Sequence, residues 1–332
     1  MTNAHTAQDI LKLARGFMES RLLLTAAELN LFTLLTEAPA TAATLAARLP
    51  ADLRGLTILL DALAAMGLLV KAPDGAYRPA PDAAVYLDDK SQHSVLPMVL
   101  HANSLWKSWS GLTSKVTGSE PFAIPPAEIR SADEVRAFVG AMHVVGLSMA
   151  QQIVRAVEIG NARNLIDVGG ASGTYTIAFL STAPFMRATL FDRPEVIPLA
   201  RERLAAAGLA RRVRLVEGDF YTDELPGGHD LALVSAIIHQ NSPAENIALF
   251  RKVRSALVSE GRIIIRDHVM APDRVTPKDG ALFAVNMLMN TQGGSTYTFD
   301  EIRSWLEEAG FVKTRLTQTG DRMDGLVEAL AP

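Results

Sequence analysis

The chain has no cysteine among its 332 residues. This absence excludes a disulfide scaffold, a thiolate nucleophile and any cysteine-ligated zinc or iron–sulfur site. The chain also has no excess of positive charge, because 32 basic residues stand against 36 acidic ones, giving a formal net charge of −4. Proteins that bind nucleic acid usually present a basic face, so the composition disfavours that class.

We also expect no membrane-spanning segment. Charged residues are expected to interrupt each apolar stretch before roughly 18 residues, the length that spans a membrane. The first residues are polar and lack the basic-then-apolar layout of a signal peptide. We therefore expect a soluble cytoplasmic protein with no membrane partner. Hydrophobic residues make up 48%, which excludes general disorder, and the length suggests about two domains.

The N-terminal part of the chain is predicted to be all-helical. Apolar residues at three- and four-residue spacing predict helices over residues 10–24 and 26–35, then 41–49 and 53–66. A short hairpin follows over residues 68–78, on an Asp74-Gly75 turn. Helix, helix and hairpin form a winged-helix arrangement, which binds DNA in some proteins and only packs or dimerises in others. The second helix offers only Arg54 and Asp61 as charged residues, so we favour dimerisation.

The periodicity of the sequence changes after residue 160. Residues 81–131 predict helices and then a connecting loop, and residues 132–159 predict a long helix that ends at Gly160. Beyond it, short apolar strands alternate with helices, which indicates an α/β fold with a parallel sheet. We therefore place a helical domain at residues 1–160 and a sheet domain at 161–332. The predicted strands cover residues 165–168, 189–192, 213–217, 231–234 and 262–265, with a closing antiparallel pair at 311–318 and 325–330.

A glycine-rich turn, Asp167-Val-Gly-Gly-Ala-Ser-Gly173, follows the first strand of the sheet. Glycines there let the backbone turn tightly and approach a ligand, although a turn without a ligand is the alternative. The nicotinamide fingerprint Gly-x-Gly-x-x-Gly does not fit, because its second and third glycines are absent when it is read from Gly169. Asp167, Gly169 and Gly170 are candidate ligand contacts, and the turn disfavours a dehydrogenase.

Two further strand ends carry residues suited to a nucleoside. Asp192 ends the second strand, where an acidic side chain can accept hydrogen bonds from both ribose hydroxyls. Gly218-Asp219-Phe220 follows the third strand, where Asp219 can bond an adenine amino group and Phe220 can pack on the ring. Because open α/β sheets bind ligands outside the carboxyl ends of their strands, these features converge on a nucleoside.

The fourth and fifth strands end in a histidine and a carboxylate. His239 follows the fourth strand, and its side chain type suits proton removal near neutral pH. Asp267 ends the fifth strand, where a carboxylate beside the imidazole would fix its tautomer and stabilise the imidazolium. A surface histidine and a structural carboxylate are the alternatives.

Taken together, these residues resemble the S-adenosylmethionine-dependent O-methyltransferases of the plant caffeate and hydroxyindole type, with their bacterial small-molecule counterparts. The resemblance spans nearly the whole chain, including the winged-helix segment 31–70. The matching segments are Asp167–Gly173, Phe191–Val196, Gly218–Phe220, His239 and Asn290–Gly294.

The resemblance implies a Rossmann-like class I methyltransferase domain behind a dimerisation domain, with S-adenosylmethionine as cofactor and a homodimer as the assembly. It also implies that Asp192 contacts the ribose, that Asp219 and Phe220 lie at the adenine, and that His239 is the general base. Met142, Met287 and Asn290 correspond to positions at the aromatic acceptor.

The chain departs from the plant pattern at several positions. Ser235 stands where plant members usually carry a lysine that contacts the cofactor. Asp267 replaces one glutamate beside the histidine, and Thr296 occupies the place of a second. Ala171 replaces a glycine of the first motif, and Gln240-Asn241 replace Asp-Trp. These departures affect the expected substrate more than the expected reaction.

We therefore expect methyl transfer to a hydroxyl, most simply a phenolic one, on a small aromatic molecule. Methylation of carbon or nitrogen on a larger ring, such as a tetrapyrrole, is an alternative on the same fold. A ligand-sensing regulator with its winged helix on DNA is an alternative of another class, and a binding-only relative without activity is a third. A metal-assisted catechol mechanism is disfavoured, because Gln240-Asn241 supply no carboxylates for Mg²⁺.

Overall fold

The computed structural model describes residues 5–119 and 132–332 of the chain. The chain divides into two compact units, Met1–Trp106 and Lys107–Pro332. This division falls earlier than residue 160, the boundary expected from the sequence. The long helix before residue 160 packs against the first helix of the sheet, so it lies in the second unit. Most of the connecting loop expected up to residue 131 lies outside the described residues.

The first unit contains the predicted helices and hairpin. Its core is formed by leucine and alanine side chains from the helices together with Phe32 and Tyr77. Thr41 and Asp52 begin two of the helices, and each side chain accepts a backbone N–H three residues on. The elements are α1 (Ala7–Glu28), α2 (Leu31–Glu37), α3 (Ala42–Ala46), α4 (Leu53–Ala65), β1 (Leu69–Lys71), β2 (Tyr77–Pro79), α5 (Pro81–Tyr86) and α6 (Leu96–Trp109), the last of which crosses the division.

The second unit is built on a sheet whose predicted strands are all present. Its strands are β3 (Asn164–Val168), β4 (Arg187–Asp192), β5 (Val213–Glu217), β6 (His229–Ser235), β7 (Leu257–Asp267), β10 (Val312–Gln318) and β11 (Gly325–Leu330). A separate short pair is formed by β8 (Val269–Met270) and β9 (Tyr297–Thr298). The helices are α7 (Leu112–Thr117), α8 (Ala132–Ala156), α9 (Thr174–Thr182), α10 (Ile197–Ala206), α11 (Pro243–Ala256), α12 (Lys278–Asn290) and α13 (Phe299–Glu308).

The order of the strands determines where a ligand can bind. Within the described residues the main sheet has seven strands in the order β10-β11-β7-β6-β3-β4-β5, and β3 to β7 are mutually parallel. The chain winds outward from β3 to β5 and then returns to place β6 on the other side of β3. This reversal opens a crevice at the carboxyl ends of β3 and β6, the position where such sheets bind ligands.

The helix α8 corrects our reading of the apolar runs. Residues 137–154 contain no Asp, Glu, Lys or Arg, so the expectation that charges interrupt every apolar stretch is wrong here. By length and composition alone, Val135–Ala156 could cross a membrane. Its buried residues, including Met149, Ile153 and Val154, pack with α9 and the sheet, as those of a core helix do.

Candidate functional site

The glycine-rich turn after β3 is packed closely against its neighbours. Gly169 and Gly170 donate their N–H groups to the carbonyl of Phe191, at 2.8 and 3.4 Å. A Cβ on Gly169 would lie 2.6 Å from Ile237 Cδ1, and one on Gly170 would lie 2.7 Å from Leu190 Cγ. Any side chain at either position would therefore push the turn away from the strand ends.

Asp192, at the end of β4, is half-buried beside this turn. Its Oδ2 accepts the N–H of Ala171 and its Oδ1 accepts the N–H of Arg193, both at 2.7 Å. Burial raises the pKa of Asp192 to about 6, although the two backbone bonds oppose the shift. Each carboxylate oxygen keeps a second lone pair, so the group can still accept two hydroxyls of a ligand.

Asp167 faces the helix that follows the turn. Its carboxylate is buried and accepts the hydroxyl of Thr176 in α9 at 2.6 Å. Burial raises the pKa of Asp167 to about 6, against the effect of that hydrogen bond. This hydrogen bond connects the end of β3 to the first turn of α9. Asp167 therefore stabilises the glycine-rich turn that lies between them.

The end of β5 is brought to the same place. The N–H of Gly218 donates to the carbonyl of Asp192 at 3.0 Å. The Phe220 ring approaches to 3.7 Å from the point where a Cβ of Gly169 would lie. Asp219 Oδ1 accepts the N–H two residues on at 2.9 Å, which shapes the loop. The three strand ends that the sequence assigned to a nucleoside are therefore adjacent.

His239 and Asp267 form a buried pair at the ends of β6 and β7. His239 Nδ1 lies 2.9 Å from both carboxylate oxygens of Asp267, whose exposed fraction is 1%. Because an ionised carboxylate only accepts, Nδ1 carries the hydrogen, and Nε2 of the neutral ring has a free lone pair. Burial alone would raise the pKa of Asp267, but the His239 ring and the backbone N–H of His268 hold it below its usual value.

The turn that carries His239, Ile238–Gln240, is held by a buried polar network that sequence reasoning did not single out. Asn246 Nδ2 donates to the carbonyl of the first turn residue at 3.0 Å, and Asn241 Nδ2 donates to Asn246 Oδ1 at 3.1 Å. The hydroxyl of Tyr221 donates to Asn241 Oδ1 at 2.6 Å, and that of Tyr297 donates to the Asn241 carbonyl. These bonds fix the backbone on both sides of the imidazole.

The Gly-Gly segment before α13 packs directly on this turn. Ser295 donates its N–H to the carbonyl of His239 at 2.9 Å. A Cβ on Gly294 would lie 2.4 Å from the same oxygen, so only glycine fits. Thr296, at the position of the second family glutamate, donates its hydroxyl to the carbonyl of Gly280 at 3.2 Å. Because position 296 is a threonine and not a glutamate, the carboxylate that contacts the imidazole is that of Asp267.

The helix α12 supplies the apolar wall beside His239. Phe283 meets the imidazole edge to face, with ring centroids 4.8 Å apart and planes at 89°. Met287 is four residues further on and therefore lies on the same helix face. Asn290, in the last turn, donates to the carbonyl and side-chain oxygens of Asn286. Phe283 was missed from the sequence, although its four-residue spacing from Met287 was a usable signal.

Two other candidates lie on α8 and at the end of β6. Met142 is half-buried on α8, and no described contact joins it to His239. Ser235, at the end of β6, accepts a hydrogen bond from Arg266 Nη1 at 3.2 Å. Within residues 5–119 and 132–332, no group of three or more His, Asp or Glu side chains is placed to hold a metal ion.

Two family profiles match the chain. The O-methyltransferase domain matches residues 110–312, and the O-methyltransferase dimerisation domain matches residues 11–89. Both describe an enzyme, and neither match supports the ligand-sensing regulator.

Curated relatives and solved structures agree with these profiles. The chain is 32% identical to a tetracenomycin polyketide synthesis 8-O-methyltransferase from Streptomyces glaucescens, over 95% of this chain and 94% of that protein. It is 33% identical to a 3-hydroxy-5-methyl-1-naphthoate 3-O-methyltransferase from Streptomyces sahachiroi, over 91% and 89%. Human N-acetylserotonin methyltransferase, solved with S-adenosylmethionine, superposes with a TM-score of 0.85 at 26% identity, over 99% of each chain. The chain therefore belongs to the O-methyltransferase family and is an S-adenosylmethionine-dependent enzyme.

Proposed function

We propose that this enzyme methylates a phenolic hydroxyl of a small aromatic molecule, with His239 as the general base. The observation that carries the proposal is the buried His239–Asp267 pair, with both oxygens 2.9 Å from Nδ1, beside three strand ends suited to a nucleoside. A base held in one tautomer next to the methyl donor is what attack by a hydroxyl requires.

The binding roles follow from the strand ends. Asp192 would accept the ribose hydroxyls, and Asp219 and Phe220 would contact the adenine. Gly169, Gly170 and Gly218 would let the backbone approach the cofactor closely. Asp167 stabilises the glycine-rich turn through its hydrogen bond with Thr176. When bound, S-adenosylmethionine supplies an activated methyl group on its sulfonium.

His239 then acts on the acceptor. A phenol has a pKa of about 10, so near pH 7 its hydroxyl is protonated and weakly nucleophilic. His239 Nε2 takes this proton as the oxygen attacks, and Asp267 stabilises the imidazolium through Nδ1. Such general-base assistance contributes roughly 10² to 10⁴ in rate, and correct positioning of donor and acceptor supplies the rest.

The acceptor class is inferred from the walls of the site and from the relatives. Phe283 and Met287 offer an apolar face to an aromatic ring, and Asn290 and Met142 are further candidates at its edge. The relatives named above act on an aromatic polyketide, a naphthoate and acetylserotonin, according to their names. A planar aromatic phenol fits both lines of argument.

A methyl-transfer screen tests the proposal. The purified chain would be given isotopically labelled S-adenosylmethionine and four acceptor sets: simple phenols, naphthols and polyketide phenols, hydroxyindoles, and aromatic amines with tetrapyrrole precursors. We expect labelled methyl ethers from at least one of the first three sets. Labelled product only from the fourth set would favour the N- or C-methylation alternative, and no product from any set would contradict the proposal.

We also propose a soluble, cytoplasmic homodimer assembled through the first unit. The helix α1 leaves several large apolar side chains exposed, including Leu13 at 79% and Phe17 at 54%. Apolar side chains grouped in this way on one helix mark a protein interface. The match to the dimerisation domain, over residues 11–89, supports a second copy of the chain as the partner.

A further inference from the structure

Arg266 is a buried cation whose hydrogen-bonding capacity is mostly unused. It lies near the carboxyl end of β7 with an exposed fraction of 2%. Its Nη1 donates to Ser235 Oγ, but Nε and Nη2 are buried and meet no acceptor among the described residues. A guanidinium cannot release its proton to escape this situation, and a buried charge without a partner is costly. The arrangement therefore indicates an acceptor that the chain itself does not supply.

The surroundings of Arg266 contain a further unused donor. The guanidinium carbon lies 5.1 Å from the centroid of the Tyr175 ring, and the buried Tyr175 hydroxyl also has no partner. Two nearby carboxylates are engaged elsewhere, since Asp167 accepts from Thr176 and Asp267 accepts from His239. The third carboxylate near Tyr175, that of Asp324, accepts the N–H of Arg322 at 2.9 Å. Unpaired N–H and O–H donors beside a permanent positive charge suit a carboxylate.

The position of this group relative to the strand ends identifies that carboxylate. Tyr175 is the second residue of α9, directly after the glycine-rich turn, and Ser235 pairs with Arg266 across β6 and β7. The sheet order runs β5, β4, β3, β6, β7, and neighbouring strands are about 4.8 Å apart. A nucleoside at β4 and β5 therefore directs the rest of the cofactor across β3 toward β6, where the Arg266 side chain reaches Ser235.

We propose that Arg266, assisted by Tyr175, binds the carboxylate of the methionyl part of S-adenosylmethionine. This role rests on the nucleoside position in the proposed function. The guanidinium would hold the amino-acid end of the cofactor while Asp192 holds the ribose end. Fixing both ends sets the direction of the sulfonium between them, near the end of β6 that leads to His239. Arg266 is thus a cofactor-binding residue supplied by the strand next to Ser235.

The test compares two ligands that differ in this carboxylate. S-adenosylhomocysteine carries the homocysteine carboxylate, whereas 5′-methylthioadenosine has the same nucleoside and a thioether but no carboxylate. Calorimetry of Arg266→Met should show S-adenosylhomocysteine binding weakened roughly 10- to 100-fold, the range expected for losing a hydrogen bond to a charged group. The affinity for 5′-methylthioadenosine should change less than about twofold.

Two further variants separate this role from a structural one. Arg262→Met removes a cation from the same strand, where Arg262 pairs with Glu328 at 3.5 Å, and should leave both affinities unchanged. The double variant Ser235→Lys/Arg266→Met returns a cation to the neighbouring strand and should recover part of the lost affinity for S-adenosylhomocysteine.

The outcomes that overturn the proposal are distinct. Equal loss of both ligands in Arg266→Met, or unchanged S-adenosylhomocysteine binding, would mean that a buried water or packing alone satisfies Arg266. Recovery of affinity for both ligands alike in the double variant would also mean that Arg266 does not bind the carboxylate. A wild-type chain that binds neither ligand would instead contradict the nucleoside site itself, and this role with it.

Discussion

At the scale of single residues, the site depends on two carboxylates that each accept hydrogen bonds from two N–H groups. Asp192 accepts two backbone N–H groups, and Asp267 accepts the imidazole N–H and a backbone N–H. These similar environments have opposite effects on acidity, because the histidine beside Asp267 favours its ionised form while burial dominates at Asp192. The two carboxylates are therefore suited to different roles.

Cofactor affinity should depend on pH through Asp192. Its pKa of about 6 in the free enzyme means that the carboxyl takes up a proton below that value. Hydroxyls donated by the ribose favour the ionised form, so binding below pH 6 must release the proton and weakens by up to about tenfold per pH unit. Calorimetry of S-adenosylhomocysteine between pH 5 and 7.5 measures this dependence.

Two variants show which carboxylate is responsible. Asp192→Asn should bind more weakly and without the pH dependence. Asp167→Asn removes the other buried carboxyl with a pKa of about 6 and should keep the dependence. Identical pH dependence in wild type and Asp192→Asn would contradict the ribose contact. The free energy of unfolding depends on pH in the opposite direction from cofactor affinity. Because the pKa of Asp192 is raised on folding, its contribution to stability is lost as pH rises through about 6.

A single strained residue in the glycine-rich turn offers a stability test. Ala171 has φ of 47°, a left-handed conformation that costs a residue with a Cβ about 1 to 2 kcal/mol. Ala171→Gly should therefore raise the free energy of unfolding by about 0.5 to 1 kcal/mol, after allowing for the greater entropy of unfolded glycine. Chemical denaturation measures it. Ala183→Gly, at φ of −116°, should lower stability instead, and a loss in both variants would contradict the strain argument.

At the scale of elements, the turn that carries His239 is positioned by segments distant in the sequence. The turn Ile238–Gln240 leads from β6 toward α11, and the loop between α12 and β9 covers it through the bond from Ser295. The hydroxyls of Tyr221 and Tyr297 approach Asn241 from two further segments. His239 is therefore oriented by backbone contacts as well as by Asp267.

Gly294→Ala should disturb this element. The added Cβ would lie 2.4 Å from the His239 carbonyl, so the loop or the turn must move. Overpacking of this kind costs about 1 to 3 kcal/mol, and we expect turnover to fall at least about tenfold because the base shifts. Gly227→Ala, at an exposed position where the added Cβ would meet only the Ser255 carbonyl at 4.0 Å, should keep activity. Full activity in Gly294→Ala would show that the loop does not position His239.

The strands, and the grouping of candidate residues at their carboxyl ends, could be predicted from the sequence, but several contacts could not. Asp192, His239 and Asp267 could be grouped because each follows a buried apolar strand, and parallel strands share one carboxyl edge. Phe283, Gly294 and Arg266 required knowledge of which distant segments pack together, which periodicity does not contain. The same limit applies to α8, because its helical pattern does not reveal that its partner is α9.

At the scale of the whole molecule, the two units carry separate tasks. The second unit contains the sheet, the strand ends proposed to bind the nucleoside and the His239–Asp267 pair. The first unit contains the region that matches the dimerisation domain and exposes the apolar residues of α1.

Sedimentation tests this assignment. The wild-type chain should sediment as a species of twice its 35.7 kDa at micromolar concentration. Phe17→Glu would place a charge in the interface and should shift the protein toward the monomer, because burying an unpaired charge is unfavourable. Phe185→Glu replaces an aromatic residue that is 80% exposed in the second unit and should remain dimeric. A monomeric wild type, or a dimer unaffected by Phe17→Glu, would contradict the assignment.

The most direct test of the whole account is single-turnover methyl transfer by His239→Gln, using an acceptor found in the screen. Glutamine keeps the size and polarity of the side chain but cannot take up the proton of a phenol. We predict a rate roughly 10² to 10⁴ lower than that of the wild type, with unchanged affinity for S-adenosylhomocysteine. A rate near that of the wild type, with the cofactor still bound, would contradict His239 as the general base.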